Sequence, residues 1–333
     1  MEARASASWD QNWGKLGLLP LPAPRGGERG RSNLPPIHPS ISPDCALVAA
    51  FALTVVASWG IYALLGLGIV LVYRTSRILN IAGGEIAMFI GYVGALAVAD
   101  GLPFPIAVAL AIAAAMALGV AIFWLAIRRV MGEPPHVGLI LTVGIGTILN
   151  GLMIVLFGGG MVAIPTGLPA FTTIGAVRLP TPDVVAAVGA WLCVAIIALA
   201  YRLTNLGLQM RAVAERVMLS AQRGLNVDRT VALSWMIGIL AIGLAGILHG
   251  ERALIALSAS VIGVSALIAC LIGGMDSIKG VVLAALIVAL TENFTALYLD
   301  PRHVLIAPVG ILLLILIVRP WGLFGTVEEL RRV

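Results

Sequence analysis

The stretch CALVAAFALTVVASWGIYALLGLGIVLVY, residues 45–73, carries no charged side chain in 29 consecutive positions. A run this long and apolar reads as a membrane-spanning helix, because hydrocarbon offers no partner to the backbone and a helix satisfies its own polar groups. As a straight helix it measures about 43 Å against a hydrocarbon core of about 30 Å. It must therefore tilt, break or begin outside the core, and Gly60, Gly66 and Gly68 offer places to bend. Working outward, further apolar runs follow at 78–99, 104–127, 137–157, 184–201, 230–250, 253–275, 280–299 and 304–318. The last is short and contains Pro308, so Arg319 is expected to snorkel to the interface. The pattern predicts an all-α, polytopic bundle of about nine spans, within a range of 8–10.

Composition agrees. Hydrophobic residues make up 60% of the 333-residue chain and charged residues 11%, against about 25% charged in a soluble domain. The 38 glycines suit helices that must approach closely without a hydrophobic force between them. The net charge of +5 does not indicate a nucleic-acid partner, since the basic residues stand singly or in pairs between apolar runs. One set of connections holds thirteen Lys and Arg, from Arg74 and Arg77 to Arg331 and Arg332; the other holds Arg178, Arg252 and Arg302. Thirteen against three makes the first set cytoplasmic and puts the C-terminus inside. The three cysteines, Cys45, Cys193 and Cys270, form no metal spacing and read as small packing residues.

Three regions stand apart from the spans. Residues 1–44 hold seven prolines and no apolar run, and read as a disordered polar tail or as the product of a start codon assigned too far upstream. The main transmembrane body covers 45–326, including the cytoplasmic segment 202–229, and 327–333 form a cytoplasmic C-terminal tail. The outer connection 158–183 is proline-rich and nearly uncharged, as a semi-rigid lid would be. The inner connection 202–229, RLTNLGLQMRAVAERVMLSAQRGLNVDR, is charged and free of proline. Its apolar spacing predicts one short helix over 208–223, stopped by Gly224. It is a solvated linker, or an amphipathic helix that docks in a groove.

No catalytic constellation, metal spacing or phosphate-cradling loop occurs, and no cofactor is expected. Two carboxylates lie within spans: Glu85, after Gly83-Gly84, and Glu292, beside Thr291 and Asn293. An ionisable group costs roughly 3 kcal/mol or more at a helix centre, so it faces a bundle interior or a wet cavity. Glu85, Glu292 and Asn293, with Asn80 and Asn150, are candidates to line a translocation pathway or to tie the helices that bound it. The scarcity of buried charge speaks against a proton- or sodium-coupled carrier, although a self-contained channel or carrier is the alternative. A membrane-embedded enzyme would need an acid and base pair that the sequence lacks.

Four stretches resemble one family: GIYALLGLGIVLVYRTSRILNIAGGE (60–85), LGLQMRAVAERVMLSAQRGLNV (206–227), LIGGMDSIKGVVLAALIVALTEN (271–293) and ILLLILIVRPWGLFGT (311–326). Their order and spacing are similar to the inner-membrane permeases of branched-chain amino acid ABC importers, of the H rather than the M type. The resemblance implies a bacterial inner-membrane protein that pairs with a second, paralogous permease to form the pathway. It also implies two cytoplasmic ATPase subunits below and an external substrate-binding protein above. By position, Arg211, Glu215, Arg216 and Gly224 would belong to the region that couples to the ATPase. The sequence departs from the family at Asn80-Ile81-Ala82-Gly83-Gly84-Glu85, which lacks the usual aromatic and histidine, and at Met218-Leu219-Ser220, which replaces Glu-Ala-Ala. Substrate is therefore open among branched-chain amino acids and similar small polar solutes.

Overall fold

An uncharged run with proline only at its start has nothing to interrupt it. In the computed structural model, helix α1 extends unbroken over Pro43–Ser76. The structure describes residues 43–325 apart from 159, 163, 165–167, 175–176, 254, 256–260 and 300, and all of these belong to the compact unit Ile41–Val333. The expected tails 1–44 and 327–333 lie outside the described residues, except that Pro43 and Asp44 form the first turn of α1. The 34 residues of α1 make a rod of about 51 Å. It ends at Arg77, which takes a left-handed φ of 56°, a conformation that stops a helix.

The succeeding helices are α2 (Gly83–Ala99), α3 (Phe104–Ile122, continued by a π turn at Phe123–Ile127 and by Arg128–Val130) and α4 (Pro135–Phe157). An antiparallel hairpin follows, β1 (Phe171–Ile174) with β2 (Val177–Pro180), pairing Phe171 with Pro180. Then come α5 (Thr181–Leu203), α6 (Asn205–Glu215), α7 (Val217–Gln222), α8 (Val227–Arg252), α9 (Val261–Gly273), α10 (Ile278–Tyr298) and α11 (Ile306–Val318).

Each of the nine expected spans contains one helix, but six of the nine are long and apolar enough to cross a membrane by themselves. α2, α9 and α11 have 17, 13 and 13 residues, so the last two reach only about 20 Å each. The free carbonyls that end α9 are capped from afar: the Leu323 and Phe324 amides donate to the Ile272 and Gly273 carbonyls at 2.8 and 3.1 Å. Pro308 stands in the first turn of α11, where no intrahelical N–H is needed.

Two expectations are corrected. The connection 208–223 is not one helix but two, α6 and α7. They break at Arg216, whose backbone is extended at φ −150°, ψ 93°. Gly224 then turns the chain with φ 83°, a left-handed value that an L side chain resists. The α1 glycines are not bends either, because they are points of close approach. A Cβ on Gly68 would stand 2.5 Å from the Gly238 carbonyl oxygen of α8, and a Cβ on Gly238 would stand 2.8 Å from the Gly68 oxygen.

That mutual contact sets the centre of the bundle. Of their most apolar windows, α1 is 83% buried and α8 67%, whereas α4 is 22% buried. α8 packs on α1, α2 and α3; α5 and α10 flank α1; α4 rests chiefly on α2. Hydrogen bonds reinforce the α1–α8 seam: Thr75 Oγ1 donates to Ser234 Oγ at 2.7 Å, and Ser234 Oγ donates to the Leu71 carbonyl at 2.8 Å. The outer connection is pinned by Tyr92 Oη, which donates to the Gly160 carbonyl at 2.6 Å, and by a backbone bridge between Val162 and Ile255.

Leucine at Gly68 or Gly238 is expected to overpack this seam and lower stability by about 1–3 kcal/mol. Leucine at Gly310, where no atom lies within 4 Å, should leave it unchanged. Thermal unfolding of the detergent-solubilised variants checks the contrast.

Candidate functional site

The candidate pathway residues separate into three settings. Glu85, in the first turn of α2, and Asn150, on α4, come together in one cavity of about 410 Å³ that also includes Ile81, Gly146 and Thr147. Gly146 makes this possible, since a Cβ there would already be 3.4 Å from the Glu85 carboxylate. The cavity lies along the little-buried helix α4, where Glu85 and Asn150 are both half-buried. It is a polar groove in an otherwise apolar surface.

Glu292 belongs to a second cluster. It is 5% exposed, and its carboxylate accepts Tyr62 Oη at 2.5 Å and Ser265 Oγ at 2.6 Å. One side chain of α10 thereby joins α1 and α9. A cavity of about 290 Å³ beside it is lined by these three groups and by Arg302. The neighbouring Asn293 turns back on its own helix, donating Nδ2 to the Ala289 carbonyl at 2.8 Å.

Asn80 stands apart from both. It is 1% exposed in the turn before α2, and among the described residues neither atom of its amide has a hydrogen-bond partner. Buried amides are normally satisfied; the turn around this one is held instead by Thr142 of α4, whose Oγ1 donates to the Leu79 carbonyl at 3.0 Å and accepts the Ile81 amide at 3.4 Å.

The connection at the arginine-rich end divides in the same way. Arg211 folds back toward α5: its guanidinium donates to the Tyr201 and Arg202 carbonyls and lies 5.4 Å from the Tyr201 ring centroid. Glu215, Arg216 and Gly224 are exposed. Beyond the break, α7 presents Val217, Met218 and Leu219 to solvent, with Met218 76% exposed. Thr204 caps α6 by accepting the Gly207 amide at 3.2 Å.

One functional-looking cluster escaped the sequence reading. At the end opposite the arginine-rich connections, Arg252 Nε meets Asp183 Oδ1 at 2.6 Å, with side chains 14% and 12% exposed. Thr54 Oγ1 donates to the other Asp183 oxygen at 2.8 Å, and Arg252 Nη1 donates to Ser58 Oγ at 3.1 Å. The cluster ties α1, α5 and α8. Its bonded partners are 69, 129 and 194 positions apart in the chain, and the only signal was a charge at one end of two apolar runs.

A multi-pass helical bundle whose enclosed charged groups tie its helices, with a polar groove along one side, is the class of a membrane permease. The family described as the branched-chain amino acid transport system / permease component matches residues 51–318, and the chain belongs to it. Among its relatives, the high-affinity branched-chain amino acid transport system permease protein LivH of Escherichia coli (strain K12) is 26% identical over 283 residues, covering 80% of this chain and 92% of that protein. LivH of Salmonella typhimurium (strain LT2) aligns equally. The corresponding protein BraD of Pseudomonas aeruginosa is 27% identical over the same shares. No solved structure matches.

Breaking the outer cluster is expected to weaken the bundle. Arg252→Met should lower stability by about 3 kcal/mol, because it leaves the Asp183 carboxylate buried and unpaired. The double variant Arg252→Met/Asp183→Asn should recover part of that loss. A double-mutant cycle on unfolding in detergent measures the coupling.

Proposed function

We propose that the chain is the permease subunit of an ATP-driven importer for branched-chain amino acids or a similar small polar solute, in a bacterial inner membrane. In this reading it forms half of the translocation pathway with a second, paralogous permease. Two cytoplasmic ATPase subunits drive it, and an external binding protein delivers the solute.

The observation that carries the reading is the pair of short helices α6 and α7, at the same end of the bundle as the arginine-rich connections. A solvated linker has no use for Val217, Met218 and Leu219 held together in the open. Apolar side chains on a short exposed helix, flanked by Glu215 and Arg216, suit a groove on a partner protein. Arg211 has a different part in this arrangement. By holding the middle of α6 against the Tyr201 end of α5, it makes α6 a lever joined to a membrane helix. A push on α7 then moves α5, which packs on the central α1 and on α8.

The groove of Glu85, Thr147 and Asn150 supplies the second part. It is open along α4, so in one chain it is a wall and not a conduit. A facing permease would close it. Its two half-buried polar side chains give a small zwitterion or amide hydrogen-bonding partners without a fixed, deep charge. Glu292 is assigned to holding helices together, through Tyr62 and Ser265, whereas Asn293 bonds only its own helix and Asn80 makes no side-chain bond among the described residues.

The test is co-purification of the tagged protein from its native membrane in mild detergent, with mass spectrometry of its companions. The expected result is two ATPase polypeptides and a second permease. The variant Glu215→Ala/Arg216→Ala/Met218→Asp should lose the ATPase by about tenfold while keeping its unfolding temperature. Recovery of this chain alone would overturn the reading in favour of a self-contained channel or carrier. In reconstituted vesicles, Asn150→Leu should reduce ATP-driven uptake several-fold without affecting ATPase capture.

A further inference from the structure

At the arginine-rich end, between α5 and α10, lies a cavity of about 930 Å³ that the transport reading does not use. Four cationic side chains line it: Arg74 from the end of α1, Arg202 and Arg211 from α5 and α6, and Lys279 from the first turn of α10. Asp276 is the one carboxylate among the lining residues. Arg74 and Arg211 are drawn to the same aromatic ring, 5.6 and 5.4 Å from the Tyr201 centroid. Four cations against the single Asp276 carboxylate leave an excess of positive charge around one cavity, which favours an anion there. The N-terminus of the 21-residue helix α10, at Ser277 to Lys279, adds its positive end to the same mouth.

The rest of the lining is apolar. Ala195, Ala198 and Leu199 of α5 face Val282 and Leu283 of α10. Leu199 is 58% and Leu283 47% exposed, so the trough is open along helices that cross the membrane. A cationic mouth at the end of the bundle with an apolar trough running into the span has the chemistry of a phospholipid: anionic headgroup at the mouth, acyl chain in the trough. A free phosphate would leave the trough unfilled, and the buried centres of protein interfaces are depleted in charge.

We infer that this cavity is a binding site for one anionic phospholipid of the inner leaflet, held by Arg74, Arg202, Arg211 and Lys279. Because Arg211 also joins α6 to α5, the lipid bridges the coupling segment and α10. It fastens together the elements through which an ATPase stroke would reach the membrane helices.

The test uses native mass spectrometry of the full-length protein in detergent, with phosphatidylglycerol, phosphatidylcholine and sn-glycerol 3-phosphate as probes. The expected result is retention of one phosphatidylglycerol, at least tenfold in preference to phosphatidylcholine. Each Lys or Arg near an anionic headgroup strengthens attraction about fivefold, so Arg202→Ala/Lys279→Ala should weaken retention about 25-fold. Lys279→Arg should retain it, and Arg129→Ala, a cation outside the cavity at the same end, should not matter. Filling the trough with Leu199→Trp/Leu283→Trp should expel the lipid while leaving all four cations in place. Equal retention of the two lipids, an unchanged Arg202→Ala/Lys279→Ala variant, or displacement of the lipid by millimolar sn-glycerol 3-phosphate would overturn the inference.

Discussion

Everything in this bundle depends on α1 and α8 touching at their backbones. Between helices in hydrocarbon there is no water to expel, so association rests on close packing and on hydrogen bonds that have no better partner. Gly68 and Gly238 remove the side chains that would hold the two helices apart, each facing the other's carbonyl. The gap thus closed is small enough for Thr75, Ser234 and the Leu71 carbonyl to bond across it. With this pair fixed, α2 and α3 have a surface on α8, and α5 and α10 have one on α1. The α1 run could be long and uninterrupted because its glycines serve contact and not bending.

The polar groups of the membrane region divide by what surrounds them. Two clusters are enclosed and each joins three helices: Asp183, Arg252, Thr54 and Ser58 toward the outer end, and Glu292, Tyr62 and Ser265 at the second. In both, a charged side chain is matched by donors or acceptors from other helices, which is the condition for tolerating it there. Glu85 and Asn150 are different. They lie half-buried beside a groove on α4, the least buried of the six long spans. The enclosed groups are committed to holding the bundle, and the groove keeps polar atoms available at its side.

The arginine-rich end shows that one compositional bias serves several structures. Arg128 stacks over Trp124 at 4.7 Å and pairs with Asp228 at 2.9 Å, linking the end of α3 to the start of α8. Arg74 and Arg211 gather on Tyr201, whereas Arg216 marks the break between α6 and α7. Counting positive charge orients the chain in a membrane, but it treats all of these residues as equal. Their surroundings make some of them fasteners, one the break between two helices and four of them the rim of a cavity.

The sequence by itself determined the membrane class, the nine helical segments and the family. Each of these rests on local quantities: the length of an uncharged run, the placing of Lys and Arg, the order of short motifs. It also singled out Glu85 and Glu292, because a carboxylate inside an apolar run is costly wherever it points. Only the tertiary structure decided what each one faces. Glu85 shares a groove with Asn150 from another helix, Glu292 meets Tyr62 from 230 residues away, and Arg252 meets Asp183 across 69. It also decided that 208–223 breaks at Arg216, since α6 is held back on Tyr201 while α7 is not. Such pairings depend on which helices become neighbours, and that is set by the glycine seam between α1 and α8. Periodicity along a chain reports which face is apolar; it carries no record of what that face will touch.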